Sequence, residues 1–453
     1  MLLTILRCRS RISWRKSSIR PLSTRPFSQT VSRAFPRSSL QQELEAKSPT
    51  TTASPSAENA EPLTEPGATF YDKVGKPGIR KQVLFATLAS FLAFSVAAAQ
   101  TDLETDHWIE RMVAVAPVWS VKAISNTDLK RAQNAELIQR LREKLANIQT
   151  TVQQLPVLIR PWINLATVSV MQPYADASEG KRLCWKICLL NAGVWALWKV
   201  RSLRGFMNVR FMHNPLSGLS YTLLTSTFSH RTAIHLLCNC LALESFGSAA
   251  YYYLLREQNK AEPVILESTT SYHFLAFFIS GKSPGLFSGL VSHIVNAKFR
   301  YPRLVAELAS STNTARKTET WASAVAATTA SAAGKTAAKR KTLDILPSLG
   351  ASGAIYAAVT MTALAFPDSQ IALFIPPSYP INIQYGVGGL MLLDVIGIVR
   401  GWRFFDHWAH LGGAAFGMLY YAYGPTYWRY LRQLNLEAKA TEDPPPSSTT
   451  VEI

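Results

Sequence analysis

Apolar residues gather in blocks along this chain, and the blocks set the architecture it predicts. The first uninterrupted block is Val83–Ala99, preceded by Lys73, Lys76, Arg80 and Lys81. It is at the short limit of the roughly 17–25 residues that a spanning helix needs, and its basic flank favours a span over a helix buried in a soluble core. From Leu183 onward further blocks follow quickly, at 183–200, 235–255, 273–295, 350–366, 385–400 and 407–424. Several contain Gly, Ser or His, which packed membrane bundles accept on inward faces. One early span and six later ones predict an all-α polytopic membrane protein.

The polar stretches between the blocks complete the outline. Residues 100–182 form a predicted helical segment, soluble or lying on the membrane surface. Within it, Leu129, Ala132, Ala135, Leu137, Leu141, Leu145 and Ile148 give a mostly helical period over Asp128–Leu155, with Thr127 or Asp128 as cap. Residues 43–82 read as a disordered linker, rich in Pro, Ser, Thr, Ala and Glu as far as residue 70. The stretch 296–343 is a long basic, Ala/Thr-rich insertion, and 425–453 is a C-terminal tail.

Composition agrees with this outline: 48% of residues are hydrophobic and 17% charged. The net charge of +18 invites a nucleic-acid reading, but it is concentrated in two places and makes no continuous face. One is 296–343. The other is residues 1–42, which hold eight arginines and Lys16 among many serines, with no Asp or Glu. Basic, Ser-rich and acid-free is the signature of a mitochondrial targeting presequence. A basic nucleic-acid-binding arm is the weaker reading, since no nucleic-acid module follows. Cys184 and Cys188 are one helical turn apart, but no second Cys/His pair stands at a zinc-like spacing, so buried apolar roles are expected and no metal.

Three short motifs carry candidate chemistry. Gly350-Ala351-Ser352-Gly353 places a serine where a polar loop becomes an apolar block. A helix beginning there supplies unpaired N–H groups that can hold an oxyanion. Alone, the motif equally suits a helix-packing surface of small residues. Ala409-His410-Leu411-Gly412-Gly413 opens the last block, and Gly413 with Gly417 forms a Gly-x-x-x-Gly pair that lets another helix approach. An imidazole beside a serine can take its proton and return it to a leaving amine. His235 and Asn239, four apart, share a helix face and are neutral donors suited to an oxyanion or to interhelical hydrogen bonds. Asp406, four residues before His410, suits either a triad member or a helix cap. The His407–His410 pair lacks a third metal ligand at suitable spacing, and the role of Asp394, inside a span, stays open.

Taken together and in this order, the motifs resemble those of the rhomboid intramembrane serine proteases, and among them the mitochondrial type with one extra N-terminal helix. The resemblance covers residues 183–424. It implies a six-helix bundle plus the helix at 83–99, with Ser352 as nucleophile, His410 as general base, and His235 and Asn239 as oxyanion donors. Tyr356 would pack on the imidazole, with Gly350, Gly353 and Gly413 as supporting glycines. It implies no cofactor, and substrates that are membrane proteins with a transmembrane helix. A dynamin-related GTPase and a cytochrome c peroxidase precursor are plausible among them. The loop 201–234 departs from many bacterial members in having no tryptophan.

Loop charge predicts an orientation. With the N-terminus in the matrix of a mitochondrial inner-membrane protein, parity puts 201–234, 296–349 and 401–406 on the matrix side. These loops are basic or bracketed by arginines, whereas 367–384 has no Lys or Arg. Two rivals stand beside the protease reading. One is a catalytically inactive rhomboid-like protein that binds membrane helices. The other is a small-solute transporter, for which the chain shows no internal repeats or paired broken helices.

Overall fold

A computed structural model describes residues 4–6, 76–115, 124–260, 264–282, 286–307, 345–373 and 378–442. Most of the presequence, of the linker and of the basic insertion therefore lies outside the described residues. The helices used below are α1 (Arg80–Val115), α2 (Asn126–Val152), α3 (Arg160–Asp176), α4 (Glu179–Leu197) and α5 (Ala233–Ala242). They continue with α6 (Ser248–Lys260), α7 (Ser271–Lys282), α8 (Phe287–Val295), α9 (Ser352–Ala365), α10 (Ile383–Arg400) and α11 (His407–Glu442). A π-helical turn at Leu243–Gly247 joins α5 to α6. Three short strands, Thr4–Leu6, Gln370–Leu373 and Ile381–Asn382, form an antiparallel sheet in that order.

Each predicted block holds helix among the described residues, but several boundaries move, and the block at 273–295 divides into two helices, α7 ending at Lys282 and α8 starting at Phe287. The first helix does not stop at Ala99; it runs unbroken to Val115. At a rise of 1.5 Å per residue its last four turns stand beyond the apolar run. They are held there by α11, which continues past residue 424 to Glu442 instead of ending in a tail. Asp102 takes hydrogen bonds from Arg432 Nε at 2.6 Å and Asn435 Nδ2 at 3.0 Å, and Lys439 Nζ lies 2.6 Å from Asp106. Polar sequence at 100–110 thus forms helix because a partner helix supplies charge for it. The apolar part of α1 leaves Leu84, Leu88, Phe91, Leu92 and Val96 exposed, as a lipid-facing stripe requires.

The predicted helix Asp128–Leu155 begins earlier. Its N-cap is Ser125, not Thr127 or Asp128, and Ser125 and Asp128 exchange side-chain-to-backbone hydrogen bonds as a capping box. The α2 helix packs on α3, giving a helical hairpin over residues 126–176. Helical structure also continues beyond Val295 through Glu307, so the insertion starts later than residue 296.

Among the described residues, three helices are individually long and apolar enough to cross a membrane: α1, the α5–α6 helix and α10. The α4 helix and the helical stretch Arg201–Arg210, bent from it by 93°, make a fourth when the pair is counted as one span. The α9 helix has only 14 residues, or about 21 Å against a hydrocarbon thickness of about 30 Å. Its shortness follows from where it begins: Ser352 is its first residue, so the preceding loop must dip into the bundle. A core of Phe274, Phe277, Met361, Leu243, Leu254 and Trp428, all nearly inaccessible, surrounds α9.

Candidate active site

The loop that delivers Ser352 is fixed from both sides. His213 and Ser348 pair through both backbone hydrogen bonds, at 3.0 and 2.9 Å, and Gly350 N–H donates to the Ser226 carbonyl at 3.0 Å. His213 is anchored in turn, its ring contacting Thr222 Oγ1 at 2.9 Å and His293 Nδ1 at 3.1 Å. Gly350 sits at φ +124°, a region open to glycine and strained for other residues. A Cβ on it would also meet the His235 ring at 2.7 Å. That single glycine therefore turns the chain into α9 and brings His235 against the loop that carries Ser352.

The α9 and α11 helices make the most extensive helix contact in the fold. Small residues on both make it possible: Gly413 rests on the Gly353 carbonyl and Gly417 on the Ala357 backbone. A Cβ at Gly413 would collide with the Gly353 carbonyl oxygen, and neither backbone has room to move. Gly413→Ala is expected to destabilise the fold by about 3 kcal/mol or more. A fall of several degrees in thermal midpoint for the detergent-solubilised protein would register this, and an unchanged midpoint would refute the close packing.

Across that contact, Ser352 Oγ lies 2.9 Å from His410 Nε2. The Tyr356 ring stacks on the imidazole with centroids 4.4 Å apart and planes 11° from parallel. The far nitrogen, His410 Nδ1, is 3.1 Å from Asp394 Oδ1, and His407 Nδ1 approaches the same oxygen at 2.6 Å. Asp394 and both histidines are buried. A carboxylate oxygen accepts, so each histidine carries its proton on Nδ1. His410 is left with an Nε2 lone pair aimed at Ser352 Oγ–H, the tautomer a general base requires.

Asp394, whose role the sequence leaves open, joins His407 and His410 as the third potential ligand that their spacing lacks. Asp394, His407 and His410 together present three ligand atoms within 4.8 Å of one another. The nitrogen–oxygen separations are those of hydrogen bonds, so the set is read as a carboxylate holding two imidazoles. An acidic residue inside an apolar span was itself the signal for it. Of the two roles its position suits, Asp406 takes that of the cap. Its carboxylate accepts from Ala409 N–H at 3.2 Å, and it also receives the Ser292 hydroxyl.

The other expected residues divide. Gly353 is packed against Ser288 and Ala409. His235 lies beside the Ser352 loop. Asn239 shares the His235 helix, but its amide donates to the His235 carbonyl at 2.7 Å, a hydrogen bond within its own helix; the amide has a second N–H besides. Of the two cysteines expected to be buried, Cys184 is a fully buried core residue and Cys188 is only half-buried.

Comparison with known proteins gives one coherent answer. The rhomboid domain model matches residues 218–426. The mitochondrial presenilin-associated rhomboid-like protein A of Danio rerio is 30% identical over 252 residues, 55% of this chain and 50% of that protein. The human mitochondrial presenilin-associated rhomboid-like protein is 30% identical over 250 residues, with the same coverage. Mitochondrial rhomboid protein 1 of Saccharomyces cerevisiae is 25% identical over 241 residues, 53% of this chain and 52% of its own length. The chain thus spans about half the length of the curated relatives it matches. No solved structure matches it. Residues 218–426 thus carry a rhomboid domain, and the apolar helices and mitochondrial relatives around that match support a mitochondrial membrane protein of rhomboid type.

Proposed function

We propose that this chain is a serine endopeptidase of the mitochondrial inner membrane that cleaves other membrane proteins at the edge of a transmembrane helix. The observation that carries the reading is the 2.9 Å approach of Ser352 Oγ to His410 Nε2 across two glycine-packed helices. Ser352 Oγ attacks the scissile carbonyl while His410 Nε2 takes its proton, then passes it to the leaving amine. Asp394 fixes the imidazole and favours the cation it becomes. The oxyanion forms beside the first N–H groups of α9, with His235 and Asn239 as the side-chain donors nearest by sequence motif.

A substrate helix hides its carbonyls in its own hydrogen bonds, so residues that lower helix propensity near the cut ease local unwinding. The His235→Ala variant loses one oxyanion donor, and its kcat for a transmembrane reporter is expected to fall on the order of 100-fold with KM little changed. An unchanged kcat would remove His235 from the mechanism.

The basic loops argue for a mouth on the matrix side and an N-terminus in the matrix. A protease-sensitive tag within 308–344 is expected to survive protease added to mitoplasts with an intact inner membrane. Its digestion would reverse this orientation. Comparing the N-termini of inner-membrane proteins from wild-type and Ser352→Ala mitochondria tests the function itself. New N-termini that depend on Ser352 support a protease, and identical sets favour a rhomboid-like protein that binds membrane helices without cutting them.

A further inference from the structure

Arg432 lies 22 residues beyond His410 on α11, about 33 Å along the helix axis, so the far end of the bundle is well separated from Ser352. There, α6, the 264–270 loop, α7 and α11 line a half-open cavity of about 210 Å³, bordered among others by Lys260, Glu267, His273, Trp428, Arg429 and Arg432. None of these residues takes part in the reaction described above.

The polar atoms left without hydrogen-bond partners in this wall are donors. His273 is 1% exposed. Its Nε2 faces the Tyr420 hydroxyl at 2.7 Å, and its Nδ1 has no hydrogen-bond partner. The phenol O–H satisfies itself by donating to Nε2, which places the ring proton on Nδ1; the opposite tautomer would orphan two groups instead of one. Arg432, 2% exposed, spends Nε on Asp102 and Nη2 on the Leu266 carbonyl, while Nη1 makes no hydrogen bond and is 3.4 Å from Glu267 Oε2.

The acidic groups of the wall are already engaged. Glu267 accepts from the Gln258 amide and from the Trp428 indole at 3.4 Å. Glu257 is paired with Lys260 at 3.0 Å and Arg256 at 3.4 Å. Burial pushes the Glu267 carboxyl up to about 7, with Arg432 pulling the other way, so near neutral pH it offers reduced opposition to an anion. A buried donor without an acceptor, His273 Nδ1, beside a guanidinium whose Nη1 has only its 3.4 Å ion pair with Glu267, defines the chemistry of the missing occupant. The volume suits a small group and falls below the 300–1,000 Å³ typical of drug-sized ligands.

We propose that this cavity binds an oxyanion, a phosphate or carboxylate group, through His273 Nδ1, Arg432 Nη1 and Arg429. The group belongs either to a free solute or to the headgroup of an anionic lipid. Its occupant braces α11 against the loop and α1, because Arg432 also holds Asp102.

The test uses the full chain in nanodiscs of phosphatidylcholine, with thermal midpoint as readout. One arm titrates inorganic phosphate against chloride at fixed ionic strength. The other replaces about a fifth of the lipid with phosphatidylglycerol. Wild type is expected to gain several degrees in at least one arm. The gain should be at least halved in Arg429→Gln, a half-buried wall residue outside the Arg432 clamp. A gain with phosphate identifies a free anion, and a gain with phosphatidylglycerol alone identifies a headgroup. No gain in either arm, or an equal gain in Arg429→Gln, overturns the assignment. His273→Gln gives a second reading where it folds, with the same direction expected.

Discussion

Cleavage of a transmembrane reporter is expected to fall on the order of 10⁴-fold or more in kcat when Ser352 is replaced by alanine, and by as much again for His410→Ala alone. The double variant should be no worse than either single one. The reason is geometric. Ser352 Oγ and His410 Nε2 form one unit at 2.9 Å, and a hydroxyl without its base is as inert as a base without its hydroxyl. Non-additivity separates this account from one in which the two residues merely support the fold. Ser352 is only partly buried, so Ser352→Ala should leave the folding free energy within about 1 kcal/mol of wild type. Multiplying losses in the double variant would mean that the residues act independently.

The second large effect is expected at Asp394. Asp394→Asn keeps the size of the side chain but removes the charge and turns one end into a donor. Two imidazole N–H groups now point at the Asp394 carboxylate oxygen. An asparagine can still accept through its carbonyl, but it does not stabilise the imidazolium formed during attack, and its NH₂ end favours the wrong histidine tautomer. A loss of about 10²- to 10⁴-fold in kcat is expected, with KM little changed. His407 serves as the control. It shares the Asp394 oxygen but does not touch Ser352, so His407→Gln should cost far less in kcat than Asp394→Asn. Equal losses would recast Asp394 as a structural tie between α10 and α11.

Much of this arrangement was legible in the chain. Glycines at 350, 353, 413 and 417 point to a close helix pair, and the serine and histidine beside them are the side chains that the pair brings to 2.9 Å. Local patterning sufficed there because the motif residues are adjacent to the helix starts that position them. Asp394 was visible as an acid inside an apolar span, yet its partners lie 13 and 16 residues further on, in another helix. No helical or strand period links them. Only the packing of α10 on α11 does.

The misjudged boundaries have the same origin. Residues 100–115 are polar, and hydrophobic periodicity ends the first span at Ala99. The helix continues because Asp102 and Asp106 meet Arg432 and Lys439, 330 and 333 residues away. The cap of α2 differs for a smaller reason: Ser125 and Asp128 form a capping box, so Asp128 is the N3 residue and neither it nor Thr127 is the cap. The engagement of Asn239 with its own helix carbonyl is likewise invisible in a spacing of four, which places a side chain on a face without choosing its partner.

The central claim is that Ser352 is an activated nucleophile, and reaction with a fluorophosphonate probe tests it most directly. Full-length protein in a lipid bilayer is treated with the probe, digested and analysed by mass spectrometry. The account predicts a single phosphonylated serine, Ser352, whose labelling is lost in His410→Ala while that variant stays folded. Folded wild-type protein that takes up no probe at Ser352, or that labels equally well without His410, would contradict it.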